Sequence, residues 1–135
     1  MRGIGHLLLL QTIVLTSAST TFQIFWHHGS WRIEGNDMEG RISSRYANPT
    51  IHICANDTFI FKAKLPRGYD FSLADWMGEL DDFEPLNNLR TRTRYTFHLG
   101  PTLHYFCRLC NDSIWGDILV HPRHQNKRAR GACSL

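Results

Sequence analysis

Residues 103–120 read LHYFCRLCNDSIWGDILV. An apolar and aromatic run from Leu103 to Phe106 meets Cys107, and Cys110 comes after two intervening residues. A polar turn comes next, and a second apolar run leaves from Trp115 to Val120. Short β-branched and aromatic runs bounded by turn formers are strands. Two thiols at the hinge between strands admit four readings: a metal site, a redox pair, a structural disulfide, or the remains of one of these. A thioredoxin-like pair wants its first thiol at a helix N-terminus, where the dipole lowers the thiol pKa; Cys107 ends a strand instead. Half of a zinc site wants a second ligand pair at suitable spacing, and only Cys54 and Cys133 remain.

The compartment bears on that choice. Residues 1–18, MRGIGHLLLLQTIVLTSA, run from one Arg through an apolar stretch to small residues. That order is a secretory signal peptide, with cleavage expected after Ala18. The apolar stretch is too short to span a bilayer comfortably. The remaining chain, roughly 117 residues, is the size of one domain. The expected organisation is a signal peptide at 1–18, one domain at 19–122 and a basic C-terminal tail at 123–135, with the mature protein extracellular. Cys54, Cys107, Cys110 and Cys133 all fall after the signal, so two disulfides are expected. The sequons at Asn56 and Asn111 fit the same compartment.

The formal charge of +3 falls by one when Arg2 leaves, which excludes a general polyanion binder. Asp70, Asp75, Glu79, Asp81, Asp82 and Glu84 crowd one stretch, read here as a solvated acidic loop, and Arg123, Lys127, Arg128 and Arg130 crowd the tail. A basic patch without interleaved aromatics does not mark nucleic acid. The rest is written in strands: 21–28, a period-two run with Trp31 and Ile33, runs around Ile51 and 59–63, two runs across Gly100-Pro101, and the last one at 115–122. About seven or eight strands in an antiparallel sandwich or barrel are expected, with Trp31, Phe59, Phe61, Phe97, Tyr105 and Ile118 in the core. Residues 74–88 are the exception, and a short helical turn is expected around Trp76–Leu80 with its apolar residues packed on the sandwich.

Trp31 and Ile33, then Asn48-Pro49-Thr50-Ile51, Asn56-Asp57-Thr58-Phe59-Ile60-Phe61, Tyr95 with Phe97, Tyr105-Phe106-Cys107 and Trp115-Gly116-Asp117-Ile118-Leu119-Val120 form an ordered series. It resembles the cupredoxins, the small blue-copper sandwich domains, over nearly the whole mature domain as far as Pro122. The resemblance implies an all-β Greek-key sandwich or barrel. It also implies copper held by two His, one Cys thiolate and a weak axial ligand. Cys107 stands at the thiolate position. Cys110 stands where the loop His would be, Ile114 and Trp115 where the axial Met would be, and Tyr69 or a near neighbour where the first His would be. No His occurs from Lys62 to Phe97 or between Cys107 and Gly116.

Three of four ligands are therefore replaced, leaving Tyr69, Cys107, Cys110 and Trp115 as vestigial ligand positions. The implied topology brings Cys54 near the start of the tail, so Cys54–Cys133 and Cys107–Cys110 are the favoured pairs. Elsewhere, His52 is expected on the face opposite Ile51 and Ile53, and His121 with His124 is the best surface chelate. No acid–base pair, catalytic triad or phosphate loop stands out. The expectation is a secreted, non-enzymatic binding or structural module without cofactor and without catalytic residues. Its expected class of partner is an extracellular protein, with neither nucleic acid nor a stable membrane anchor. The alternative is a copper-binding electron-transfer protein with a rearranged Cys/His site.

Overall fold

The computed structural model describes residues 20–110, 113–123 and 133. The expected signal peptide at 1–18, Asn111, and His124, Lys127, Arg128 and Arg130 of the tail lie outside the described residues. Nine strands occur among the described ones: β1 Thr20–His27, β2 Ser30–Asp37, β3 Gly40–Ile42, β4 Ile51–Cys54, β5 Thr58–Ala63, β6 Ser72–Asp75, β7 Arg92–Thr96, β8 Leu103–Phe106 and β9 Trp115–His121. They form two sheets, ordered β3-β2-β1-β5-β7 and β4-β9-β8-β6. The β-sandwich class stands, with mixed rather than purely antiparallel sheets: β1 runs parallel to β5 and β4 parallel to β9. Against the seven or eight strands expected, β3 and β6 are the two of the nine that none of the runs read from sequence covers.

Alternation writes the core. Phe22 and Ile24 of β1, Trp31 and Ile33 of β2, Phe59 and Phe61 of β5, Ile51 and Ile53 of β4, Tyr105 of β8 and Ile118 of β9 are all buried, as period-two side chains facing a second sheet must be. All six residues assigned to the core from sequence are there, Phe97 included. Burial of each such side chain contributes roughly 1.5–3 kcal/mol. Trp31, Phe71 and Tyr105 run across the interior with successive ring centroids 5.2 and 5.4 Å apart. The β1–β2 hairpin turns on His28 and Gly29, both with positive φ (49° and 74°), which matches the right-handed twist of the flanking strands.

The helical turn expected at Trp76–Leu80 is absent. Asp75 Oδ1 instead accepts the amides of Met77 (2.9 Å) and Glu79 (3.0 Å), and Gly78 takes φ 89°, so the chain closes a tight turn. Its apolar residues do not pack on the sandwich either: Trp76 and Met77 are 68% and 79% exposed.

One contact fixes the two sheets to each other. Asn48 both accepts from the Trp31 amide through its side chain and donates its own amide to the Trp31 carbonyl, each at 2.8 Å. The next residue's carbonyl, Pro49 O, accepts the Tyr105 hydroxyl at 2.5 Å. Opposite Tyr105 in the β8–β9 register is Gly116, where a Cβ would overlap the Tyr105 ring and hydroxyl. Gly116→Ala is therefore expected to destabilise by about 3 kcal/mol, the upper end for overpacking, because the displaced ring is fully buried and tethered. Urea unfolding checks this, and a loss near zero would show that the ring can move aside.

Candidate functional site

The inward face of β8 continues past its end: Tyr105 is buried, Phe106 points outward, and Cys107 is buried again. Cys107 is bonded to Cys110 with Cα atoms 5.3 Å apart, and Cys54 to Cys133 with Cα atoms 5.7 Å apart. Both expected pairs are present.

Around the Cys107 sulfur lies Asp70, which sequence reasoning assigned to the solvated acidic loop. That assignment is corrected: Asp70 is buried. Its amide donates to Cys107 Sγ at 3.4 Å, its Oδ2 accepts the Ser72 hydroxyl at 2.6 Å, and its Oδ1 accepts the Leu109 amide at 2.9 Å. These bonds take the place of the water that a buried carboxylate loses. A signal was available, because Asp70 sits inside the apolar run Tyr69 to Ala74 and shares the period of Ser72. The loop after Cys107 is thus held by a covalent bond on one side and a carboxylate on the other.

The remaining positions do not converge on the sulfur in the same way. Tyr69 is half-buried with its ring 5.3 Å from that of Trp26. Trp115 is 53% exposed on the outer face of β9, since Gly116 faces inward; of the two residues at the expected axial position, Ile114 and Trp115, it is Ile114 that packs against the core. Trp115 joins exposed Trp76 in lining an outer cleft of ≈ 360 Å³ with His104, Phe106 and Ile114.

The described histidines are distributed over the outer surfaces. His104 Nδ1 lies 2.6 Å from Asp117 Oδ1, His98 Nδ1 lies 3.1 Å from Asn56 Oδ1, and the rings of His27 and His28 touch. His52 stands opposite Ile51 and Ile53 as expected, half-buried while they are buried. His121 faces His52, with Nδ1 of His52 2.9 Å from Nε2 of His121, while His124, its expected partner, lies outside the described residues. Sequence separation of 69 hid that pair. No group of three or more His, Cys, Asp or Glu is arranged to hold a metal among the described residues.

Burial pushes the Tyr105 phenol far above its ordinary value, and the Asp117 carboxylate adds to it. The folded chain then keeps a proton that the unfolded chain releases near pH ~10. Its contribution to stability is complete below that pH and declines as pH rises beyond it. Tyr105 is expected to ionise only together with alkaline unfolding, measured as the absorbance difference between the protein and its Tyr105→Phe variant. Ionisation of the folded protein near pH ~10 would contradict this.

No family model matches the chain, and no curated relative matches it. Solved structures similar to it include a purple cupredoxin from Nitrosopumilus maritimus (15% identity, 73% of this chain and 97% of that one, TM-score 0.45). Rusticyanin from Thiobacillus ferrooxidans (18% identity, 76% and 79%, TM-score 0.44) and a reduced amicyanin mutant (12% identity, 78% and 86%, TM-score 0.46) are also similar. The sandwich is similar to those of cupredoxins.

A cupredoxin copper ion wants two imidazoles and a thiolate in one trigonal set with a weak axial donor. The residues here do not fit it. Cys107 and Cys110 spend their sulfurs on each other, Tyr69 brings a phenol in place of an imidazole, Ile114 has no donor, and Trp115 faces away.

Proposed function

We propose that this chain is a secreted, non-enzymatic binding or structural module whose ancestral copper loop has become a structural clasp. The observation that carries the reading is the Cys107–Cys110 bond, which engages the one thiolate left at the matched positions. Asp70 supports it: a carboxylate fastening Leu109 and Ser72 does structural work in a loop that would otherwise shape a metal site. An electron-transfer protein with a rearranged Cys/His site would need that thiolate free. Secretion draws support from the apolar leader at 1–18 and from the use of all four cysteines in disulfides. No helix among the described residues is long and apolar enough to cross a membrane. The partner we propose is an extracellular protein, for which the exposed Trp76 and Trp115 beside the outer cleft are the candidate contacts, tryptophans being enriched among the residues that anchor interfaces.

The test is a free-thiol count and metal analysis of the protein as secreted. No free thiol is expected, and no copper held through Cys107. A free Cys107 with one copper per chain would overturn the proposal.

Secretion also makes glycosylation of Asn56 an expected result. Asn56 is exposed in a turn with φ 72°, and its contact with His98 engages Oδ1 rather than the Nδ2 that a glycan joins. Asn111 directly follows Cys110 in the sequence, and the disulfide of Cys110 restrains the chain beside that sequon, so occupancy should be higher at Asn56. Glycopeptide mapping that finds Asn111 occupied and Asn56 bare would reverse the order.

A further inference from the structure

The parallel pairing of β4 and β9 sets Cys54 beside His121 and His52 beside Leu119, so His52 and His121 are diagonal neighbours on one outer face. Their nitrogens, Nδ1 of His52 and Nε2 of His121, are 2.9 Å apart, and the rings are tilted by only 24°. The second nitrogen of His52, Nε2, faces Glu39 Oε1 at 3.5 Å. The backbone beneath is fixed as well: the His52 amide donates to Asp37 Oδ2 at 2.7 Å, and the His52 carbonyl accepts the Met38 amide at 3.0 Å.

From this geometry we propose that His52 and His121 form a binding site for a divalent first-row metal ion, copper(II) best, with Glu39 as the positioning residue. Three features carry it. The first is the donor pair, two imidazoles held by adjacent paired strands, a donor type suited to zinc, copper and nickel. The second is spacing. With metal–nitrogen bonds of about 2.0–2.1 Å, nitrogens at cis positions of a tetragonal ion lie about 2.9 Å apart, against about 3.4 Å for a tetrahedral one. Tetragonal N,O sets select copper(II) or nickel(II). The third is Glu39: a ligating imidazole ordinarily gives its other N–H to a carboxylate, which fixes the tautomer and raises the basicity of the ligating nitrogen. A proton on Nε2 facing Glu39 leaves the Nδ1 lone pair of His52 turned toward His121.

Without metal the same two nitrogens share one N–H. A metal ion takes its place when the His121 proton moves to Nδ1, so both imidazoles bind in neutral form and no net proton is released. For metal–nitrogen bonds of about 2.0–2.1 Å each half-buried ring swings by roughly 45° so that its lone pair meets the ion off the nitrogen–nitrogen line, and water fills the remaining positions. The site lies on the outer face of the second sheet and stands independently of what the Cys107 loop does.

The probe is copper(II) added to the oxidised full-length protein, followed by electron paramagnetic resonance and by competition with a graded chelator. A tetragonal signal with hyperfine coupling to two nitrogens is expected. His52→Ala and His121→Ala should each weaken binding at least about tenfold and remove one nitrogen coupling. Glu39→Gln should weaken it about tenfold while both couplings remain, the usual size of an outer-shell effect. The adjacent histidines His27 and His28 are the rival chelator, and their double replacement by Ala should leave affinity unchanged. Glu39→Gln alters an exposed side chain and does not threaten the fold, so it reads the site even if a histidine variant misfolds. Affinity unmoved by His52→Ala and His121→Ala, or lost with His27 and His28, would mean an adventitious ion only and would overturn the proposal. Full affinity in Glu39→Gln would remove Glu39 from it.

Discussion

Copper(II) mixed with the oxidised protein is expected to leave it without intense blue colour. That colour belongs to a thiolate bound to copper in a trigonal set with two imidazoles. Here the Cys107 sulfur is bonded to Cys110 and accepts the Asp70 amide. Freeing it with Cys110→Ser is expected to restore no blue centre, because Tyr69 and Ile114 still stand where an imidazole and a thioether belong. Copper held by His52 and His121 would be pale, since no sulfur takes part. The measurement is the visible absorption spectrum at one equivalent of copper. An intense band that disappears with Cys107→Ser in a folded variant would show that the loop had kept its chemistry, and electron transfer would then be the better account.

The second large effect is on stability. Joint replacement of Cys54 and Cys133 by Ala is expected to cost about 4 kcal/mol, the chain-entropy value for closing a loop of about 80 residues. The bond spans a sequence separation of 79. The Cys107–Cys110 bond, with a separation of 3, restricts the unfolded chain far less, by about 2 kcal/mol in the same treatment. The folded state should survive loss of the long crosslink, because neighbouring bonds hold the same strand ends. The Ala55 amide donates to the His121 carbonyl at 2.9 Å, and Arg123 bonds the Ala55 carbonyl at 2.9 Å and pairs with Asp57. Equilibrium urea unfolding of the two double variants reads the difference directly. If removal of the short crosslink proved the costlier, native-state packing around Asp70, not chain entropy, would dominate.

How far the sequence could be read depended on the range of the interaction. Alternation is local, and it identified Trp31, Phe59, Phe61, Phe97, Tyr105 and Ile118 as core. The strand end at Cys107 was legible for the same reason, and the ordered resemblance supplied the two cysteine pairs. Residues 76–80 misled because Trp76 and Leu80 have helical spacing while the side chain of Asp75 closes the turn first. A capping bond of that kind competes with helix in proportion to local geometry that no periodicity reports. Asp70 was misjudged because charge outweighed position. The His52–His121 contact depends on the parallel register of β4 against β9, a long-range fact with no local signature.

The acidic stretch after β6 has a consequence beyond its charge. β6 is the last strand of its sheet, and a bare outer edge is a template on which another chain can add. Backbone bridges from Leu80 to Ala74 and from Leu86 to Phe71 lay this stretch along that edge. The hydrogen bonds a neighbouring molecule would need are in part already taken, and Glu79, Asp82 and Glu84 face outward over them. At the opposite border Asp37 and Met38 dress β4 in the same manner. Two segments that look like ornaments of the sandwich therefore act as hems: they keep the edges of this sheet from pairing with the next copy.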